Sequence, residues 1–443
     1  MKNKSYICTT ILLSYLVSPI TAAQSLQQAV QRTIDENPKI QSAKAEKRAV
    51  THEIRQAKAG YFPTVDLTLG AGWERTSNPT TRGNGDESLS LGRSEASLAA
   101  RQMLFDGFAT KNEVNRHSQR ADSRAYTVFG QAEITALNAV EAYIDVMRRE
   151  ALVALAAENL VIHKKSSDQI SLRSERGVGR QSDAHQATGR LALAKKNHFS
   201  EMGNLQDAKT SFVRLIGEFP DDLSSVNEIG TALPNTVEDA IEQGLKNHPI
   251  LKSANADVLS AVSQHKTAKS AHMPRVDLEF GASHNTDLDG VEGMNEDAYA
   301  MVRLRYNLYN GGKDAARRKE TAQLIEQAKE IRNNTHRQVV ESMRLSWVAY
   351  QTVSSQMEFF KYHMDASIET NIAYQKQFDI GARTLLDLLD SANEMFVAKS
   401  AYTNAKYDKL YSQYRILTSK GELNSFLGIK LPEESRVETS TAH

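Results

Sequence analysis

The chain has 443 residues in which Lys+Arg 54 balance Asp+Glu 54, and its one cysteine is Cys8. Zero net charge offers no general electrostatic attraction for nucleic acid or for an anionic membrane surface, so charge names no partner. With the only thiol among the first residues, disulfides and thiolate catalysis are excluded from everything that follows.

The chain opens with the layout of a secretory leader. Lys2 and Lys4 precede a mostly apolar run from Tyr6 to Val17, then Pro19 and the small-residue stretch TAAQ, which places cleavage after Ala23 and the leader at 1–23. Cys8 follows no small-residue lipidation pattern, so no N-terminal lipid is expected. The apolar run is too short to span a bilayer, and no later segment reaches the roughly 18 to 20 uncharged residues of a membrane helix. The expectation is an exported chain without a helical anchor.

Beyond the leader the sequence repeats itself. Pro38, Pro63 and Gly70 are matched 211 positions on by Pro249, Pro274 and Gly281. Gly177, Asp183 and Gly217 are matched 204 positions on by Gly381, Asp387 and Gly421, as LFDG at 104–107 is by LYNG at 308–311. One loop therefore differs by a net 7 residues, 211 less 204, and the halves are a duplication. The first repeat is read as 24–232, with a helix, a β-hairpin over 62–105, a long helix over 108–176 and a return helix over 182–216. The second is read as 233–430, with a helix, a hairpin over 274–309, a long helix over 312–380 and a return helix over 384–420; 431–443 reads as a flexible tail.

Residues 313–380 contain neither glycine nor proline, and 108–176 only Gly130. Each long helix should run about 100 Å at 1.5 Å per residue, longer than a globular domain is wide. In the second, Val340, Met343, Trp347, Tyr350, Met357, Met364 and Ile368 recur at coiled-coil steps. The fold class is therefore mainly α with a small β part, and elongated.

The strands announce themselves by alternation. Val65, Leu67, Leu69, Ala71 and Trp73 alternate with Thr64, Asp66, Thr68, Gly70 and Gly72; Val302, Leu304, Tyr306 and Leu308 alternate with Arg303, Arg305 and Asn307. Their partners, 95–105 and 275–284, alternate less cleanly, and polar loops TSNPTTRGNGDES and HNTDLDGVEGMNED join the pairs. Strands of about 10 residues suit a bilayer crossing, with Trp73, Tyr299 and Tyr309 as interface aromatics. Arg at Leu69 or Leu304 should then impair insertion, while Arg305 on the polar face should tolerate Ser. Four strands cannot close a barrel, but several chains around an axis could join their hairpins into one barrel above a hollow helical cylinder. A soluble α+β domain, or a periplasmic coiled-coil scaffold or adaptor, is the competing reading; an adaptor would carry a small β domain between its helical arms, which this sequence lacks.

ENP and NHP early in each half, YFPTVDL before the first strand, LYNGG opening the second long helix, and GVGRQSD and DIGARTLLDLLDSANE at the turns stand in a joint order that resembles the TolC family, the trimeric outer-membrane exit ducts of Gram-negative bacteria. The resemblance covers residues from about 25 to 428, and EAYIDVMRRE, IGEFP and QFDIGARTLLDLLD are similar to its type I secretion branch, including adhesin-exporting ducts. It implies a homotrimer of long coiled coils forming an α-barrel, capped by a 12-stranded transmembrane β-barrel with four strands per chain. It also implies outer-membrane lipid, a periplasmic membrane-fusion or adaptor protein and an inner-membrane ABC transporter or other pump as partners, and no nucleic acid. Multidrug or metal efflux in place of protein secretion stays open, because a passive duct has no substrate pocket to read.

For the turns, the resemblance carries Asp387 and Asp390 onto two aspartate rings at the periplasmic entrance. Asp183 and Ser182 match positions that hold the entrance shut against the neighbouring coil, and Arg383 matches one partner of that lock. Phe378 stands where the family has a tyrosine, without the hydroxyl. Gly177, Val178, Gly179, Ile380 and Gly381 would be the adaptor-facing tips. The aspartates have a second reading, as helix N-terminal charges stabilised by the dipole. No enzyme is expected: the 12 histidines are scattered, with no HExxH, nucleophile elbow or phosphate-cradling loop, so no catalytic, cofactor or metal residue is assigned.

Overall fold

A computed structural model describes residues 23–230 and 233–437, so the leader expected at 1–23 lies, but for Ala23, outside the described residues. In chain order the elements are α1 (Leu26–Glu36), α2 (Pro38–Ala59), β1 (Thr64–Thr76), α3 (Pro79–Gly83), β2 (Leu89–Phe105), α4 (Ala109–Glu175), α5 (Gln181–Ile216), α6 (Val237–Asn247), α7 (Pro249–Ser270), β3 (Arg275–Leu288), β4 (Val291–Arg305), α8 (Lys313–Asp379), α9 (Leu385–Lys420) and α10 (Leu423–Phe426). Lengths recur across the halves: α1 and α6 have 11 residues, α2 and α7 22, α4 and α8 67, α5 and α9 36. Among the described residues no helix is long and apolar enough to cross a membrane.

Local chemistry sets the breaks. Ser25 accepts from the Gln28 amide while the Gln28 side chain accepts from Ser25 N–H, a capping box that starts α1. One helix was expected ahead of the hairpin in each half; there are two, with the ENP and NHP segments at the corner between them. Pro38 and Pro249 cannot donate to the preceding ladder, so each ends one helix and opens the next at N1.

α4 is the axis of the molecule. Its small buried residues Ala121, Ala125, Ala132, Ala136 and Ala139 let α2, α7 and α9 approach closely, and Tyr143 packs against Phe212 of α5 with ring centroids 6.3 Å apart. The Tyr143 hydroxyl lies 2.6 Å from the Gln24 carbonyl oxygen and 2.8 Å from that of Ser224, tying the chain start to the crossing between halves. At the other end, residues 431–437 do not hang free as the expected tail. They include a 3₁₀ turn at Glu433–Ser435 that packs on α2 and α4, with Glu434 3.1 Å from Arg48.

The two hairpins join into one antiparallel sheet in the order β1-β2-β3-β4, leaving β1 and β4 as its edges. Its strands outrun the alternating segments. Most of HNTDLDGVEGMNED is strand up to the turn at Asp289 and Gly290, and the first loop contains the helical turn α3. β4 stops at Arg305, so Tyr306 and Leu308, expected on its apolar face, lie beyond the strand in the link to α8.

Candidate functional site

The tip opposite the sheet is built by two equivalent turns. Gly177 (φ 74) and Gly381 (φ 78) adopt the left-handed conformation that glycine takes without Cβ strain. The next amide reaches back over the last helical turn, Val178 N–H to Arg173 O at 3.0 Å and Ala382 N–H to Gln377 O at 2.8 Å. Val178 and Ile380 stand out as two apolar knobs, 81% and 80% exposed.

Below the turns a small apolar cluster sets the roll of α9. Leu385 and Leu389 pack against Ile170 of α4 and Ala187 of α5, flanked by Ala184 and Phe378. Phe378 is therefore part of the tip core, with the Arg173 guanidinium 5.5 Å from its ring centroid.

With the leucines turned inward, Asp387 and Asp390 line a groove of about 360 Å³ between α8 and α9, together with Thr370, Tyr374 and Glu394. Thr384 caps α9 by accepting from the Asp387 amide at 3.3 Å, so Asp387 also sits at a helix N-terminus. Arg383 lies 3.7 Å from Asp387, donates to Gln377 at 2.8 Å and stacks 4.3 Å from the Tyr374 ring centroid. Tyr374, one turn before Phe378, is the aromatic partner that the sequence reading missed.

Across the tip, Asp183 lies in the first turn of α5, and Ser182 donates to it at 3.3 Å, within the turn and not across it. Asp390 is ion-paired to Arg190 of α5. Glu394, on the same face as Asp387 and Asp390, is 2.8 Å from His363 of α8. Neither Arg190 nor Glu394 was singled out in the sequence. Glu394 continues the i, i+3, i+7 face of the two aspartates and was legible there.

The sheet has two contrasting faces. Its register places Val65, Ala100, Phe280 and Ala300 in one row and Leu67, Leu98, Ala282 and Ala298 in the next, all on one side. Val65, Leu67, Leu69, Trp73, Val302 and Leu304 are each more than half exposed there. On the other face Asp277 is fully buried and Glu279 nearly so, beneath Arg101, Arg275, Arg303 and Arg305. Arg305 donates to Asp277 at 2.9 Å and also to Glu279. It is thus a cross-strand clamp and not a tolerant polar position: Arg305→Ser would leave buried carboxylates short of partners. Tyr299 belongs to this charged face too, its ring lying over Gly281, and is not an interface aromatic.

Long paired helices carrying one sheet, apolar and bare on one face and charged on the other, define a channel-forming architecture. The chain belongs to the outer membrane efflux protein family, whose profile matches residues 29–218 and 240–422. It is 23% identical to the outer membrane efflux protein BepC of Brucella suis over 97% of this chain and 94% of that one. It is 24% identical to the outer membrane protein TolC of Escherichia coli, covering 92% and 84%. It is 20% identical to the alkaline protease secretion protein AprF of Pseudomonas aeruginosa, covering 88% and 83%. The CmeC outer membrane channel of Campylobacter jejuni has the same fold, with a TM-score of 0.80 at 15% identity over 94% of this chain and 90% of that one. The protein is accordingly an outer-membrane efflux or secretion channel that extends into the periplasm. Among these relatives BepC is named for efflux and AprF for protease secretion.

Proposed function

We propose that three copies of this chain form the outer-membrane exit duct of a type I secretion system. The carrying observation is the sheet: four strands with two unpaired edges and a bare apolar face. Pairing β4 of one copy with β1 of the next removes both edges, turns the apolar face to lipid and the arginine face to the lumen. The two repeats, 24–232 and 233–430, then each supply one hairpin to a 12-stranded barrel and one helical pair to the α-barrel below.

In this arrangement the tips form the periplasmic entrance. Asp387 and Asp390 would come near the axis once per copy and draw in cations. Ser182, Asp183 and Arg383 would govern closure. Val178 and Ile380, presented by Gly177, Gly179 and Gly381, would meet a periplasmic adaptor coupled to an inner-membrane ABC transporter. Similarity to AprF, named for protease secretion, and the segments EAYIDVMRRE and IGEFP favour protein cargo. Similarity to BepC, named for efflux, supports a second reading as an efflux-pump duct.

Light scattering of the protein purified in detergent should give close to three mature chains, and a soluble monomer without detergent would sink the assembly. Cross-linking and purification from the native membrane should bring down an ABC transporter with its adaptor. Recovery of a drug-efflux pump instead would select the second reading.

A further inference from the structure

Every acid in the tip groove has a basic neighbour in the same chain, but the three pairs differ. Arg383 stands 3.7 Å from Asp387 with its guanidinium also engaged by Gln377 and Tyr374, and Glu394 meets the imidazole of His363. Asp390 alone is met by a permanently charged group from the other repeat, Arg190 of α5, at 2.5 Å. The contact spans 200 positions of sequence and closes over the apolar contact of Ala187 with Leu385 and Leu389.

Arg190 is also the more enclosed partner, 30% exposed at the side chain against 53% for Asp390. Its charge is also felt by His163 of α4, which is buried and whose Nδ1 has no hydrogen-bond partner. Burial, and after it the Arg190 charge, push the pKa of that imidazole down. The Asp390 carboxylate is therefore the ionic partner that holds the Arg190 guanidinium.

We infer that Arg190 sets the charge of the entrance: it neutralises Asp390 from within the chain and ties α5 to α9, leaving Asp387, whose contact with Arg383 is looser at 3.7 Å, and Glu394, met only by an imidazole, as the remaining sources of cation attraction. This deepens the duct reading and rests on it. Arg190 is a positioning residue that acts through Asp390, and its ligand class is the cation that the entrance attracts.

The test is a charge cycle in planar bilayers with the full trimer, reading the potassium-to-chloride permeability ratio and block by lanthanum added on the periplasmic side. Arg190→Gln adds one uncompensated negative charge per copy, so the permeability ratio and the lanthanum affinity should each rise several-fold. Asp390→Asn should lower both, Arg190→Gln/Asp390→Asn should return them near wild type, and Arg190→Lys should stay near wild type. A residue that only braced the helices would instead raise conductance in Arg190→Gln with ratio and block unchanged, and that outcome overturns the inference while the duct stands. No conductance from the wild-type protein overturns the duct reading and the inference with it.

Discussion

α4 and α8 hold equivalent places in the two halves and have the same 67 residues, yet they are packed differently. α4 is enclosed by α1, α2, α5, α7 and α9 and buries residues from Ala121 to Ile170. α8 is packed by α6, α7 and α9 and buries only Thr321, Val339, Met343, Ser346 and Ser367. Leu345, Val348, Phe359 and Tyr362 stay exposed on it, at spacings of 3 and 11 residues that keep them on one stripe of a straight helix. Duplicated helices have thus divided their work: one is the core of its own chain, and the other carries apolar surface that an assembled neighbour would cover.

Breaking the enclosed helix should cost most. Tyr143→Ala removes the ring against Phe212 and the hydroxyl between two carbonyls, and should lower stability by about 4 kcal/mol, read as a fall in the thermal midpoint. Next comes the apolar side of the sheet, which the duct reading turns to lipid. Leu69→Arg or Leu304→Arg should cost about 3 kcal/mol near the bilayer midplane and reduce the amount of protein recovered in the outer-membrane fraction. Arg305→Ser, on the opposite face, should also destabilise the strands by uncovering Asp277 and Glu279.

A third contrast sets the halves against each other by pH. Glu133 of α4 caps the start of α10, accepting from the amides of Leu423 and Asn424 and from the Asn424 side chain, yet burial outweighs these bonds and raises its pKa to about 7. The folded chain therefore holds a proton that the unfolded chain releases between pH 4.5 and about 7, and stability falls as pH rises through that window, by on the order of 3 kcal/mol at most. His248, at the α6–α7 corner, is pushed by burial to about 4, so its contribution is present above pH 6.5 and lost as pH falls towards 4. The slopes oppose each other. In Glu133→Gln the opposing slope is gone, and denaturant midpoints should rise from pH 4 to 6.5 more steeply than in the wild type.

The smallest change in monomer stability belongs to the bare stripe. Phe359→Ser/Tyr362→Ser should alter folding by no more than about 0.5 kcal/mol, as exposed positions do, yet shift light scattering from trimer towards monomer. Unchanged mass would mean that α8 faces something other than a neighbouring copy.

The long helices and β1 were legible because each rests on a local period: an uninterrupted helical run, and a strict alternation from Val65 to Trp73. Parity held a further signal that went unused. Tyr299 shares odd numbering with Arg303 and Arg305 and so had to lie on their face. The end of β4 was less accessible, because the alternation continues to Leu308 while the ladder with β3 stops at the Arg275 and Arg305 pair.

By itself the sequence determined the duplication, the extent of the long and return helices, the turns at Gly177 and Gly381, and the apolar stripe of β1, all set by neighbours within a few residues. Only the tertiary structure decided what each tip side chain meets. Phe378 came to pack, partly buried, against the cluster of Leu385, Leu389, Ile170 and Ala187. Asp390 acquired Arg190, and Asp277 was sealed beneath Arg275 and Arg305. These outcomes depend on partners brought from distant turns, strands or the other half of the chain. A side chain's charge can be read from its letter, but whether that charge is bare or neutralised depends on what folding places within a few ångströms of it.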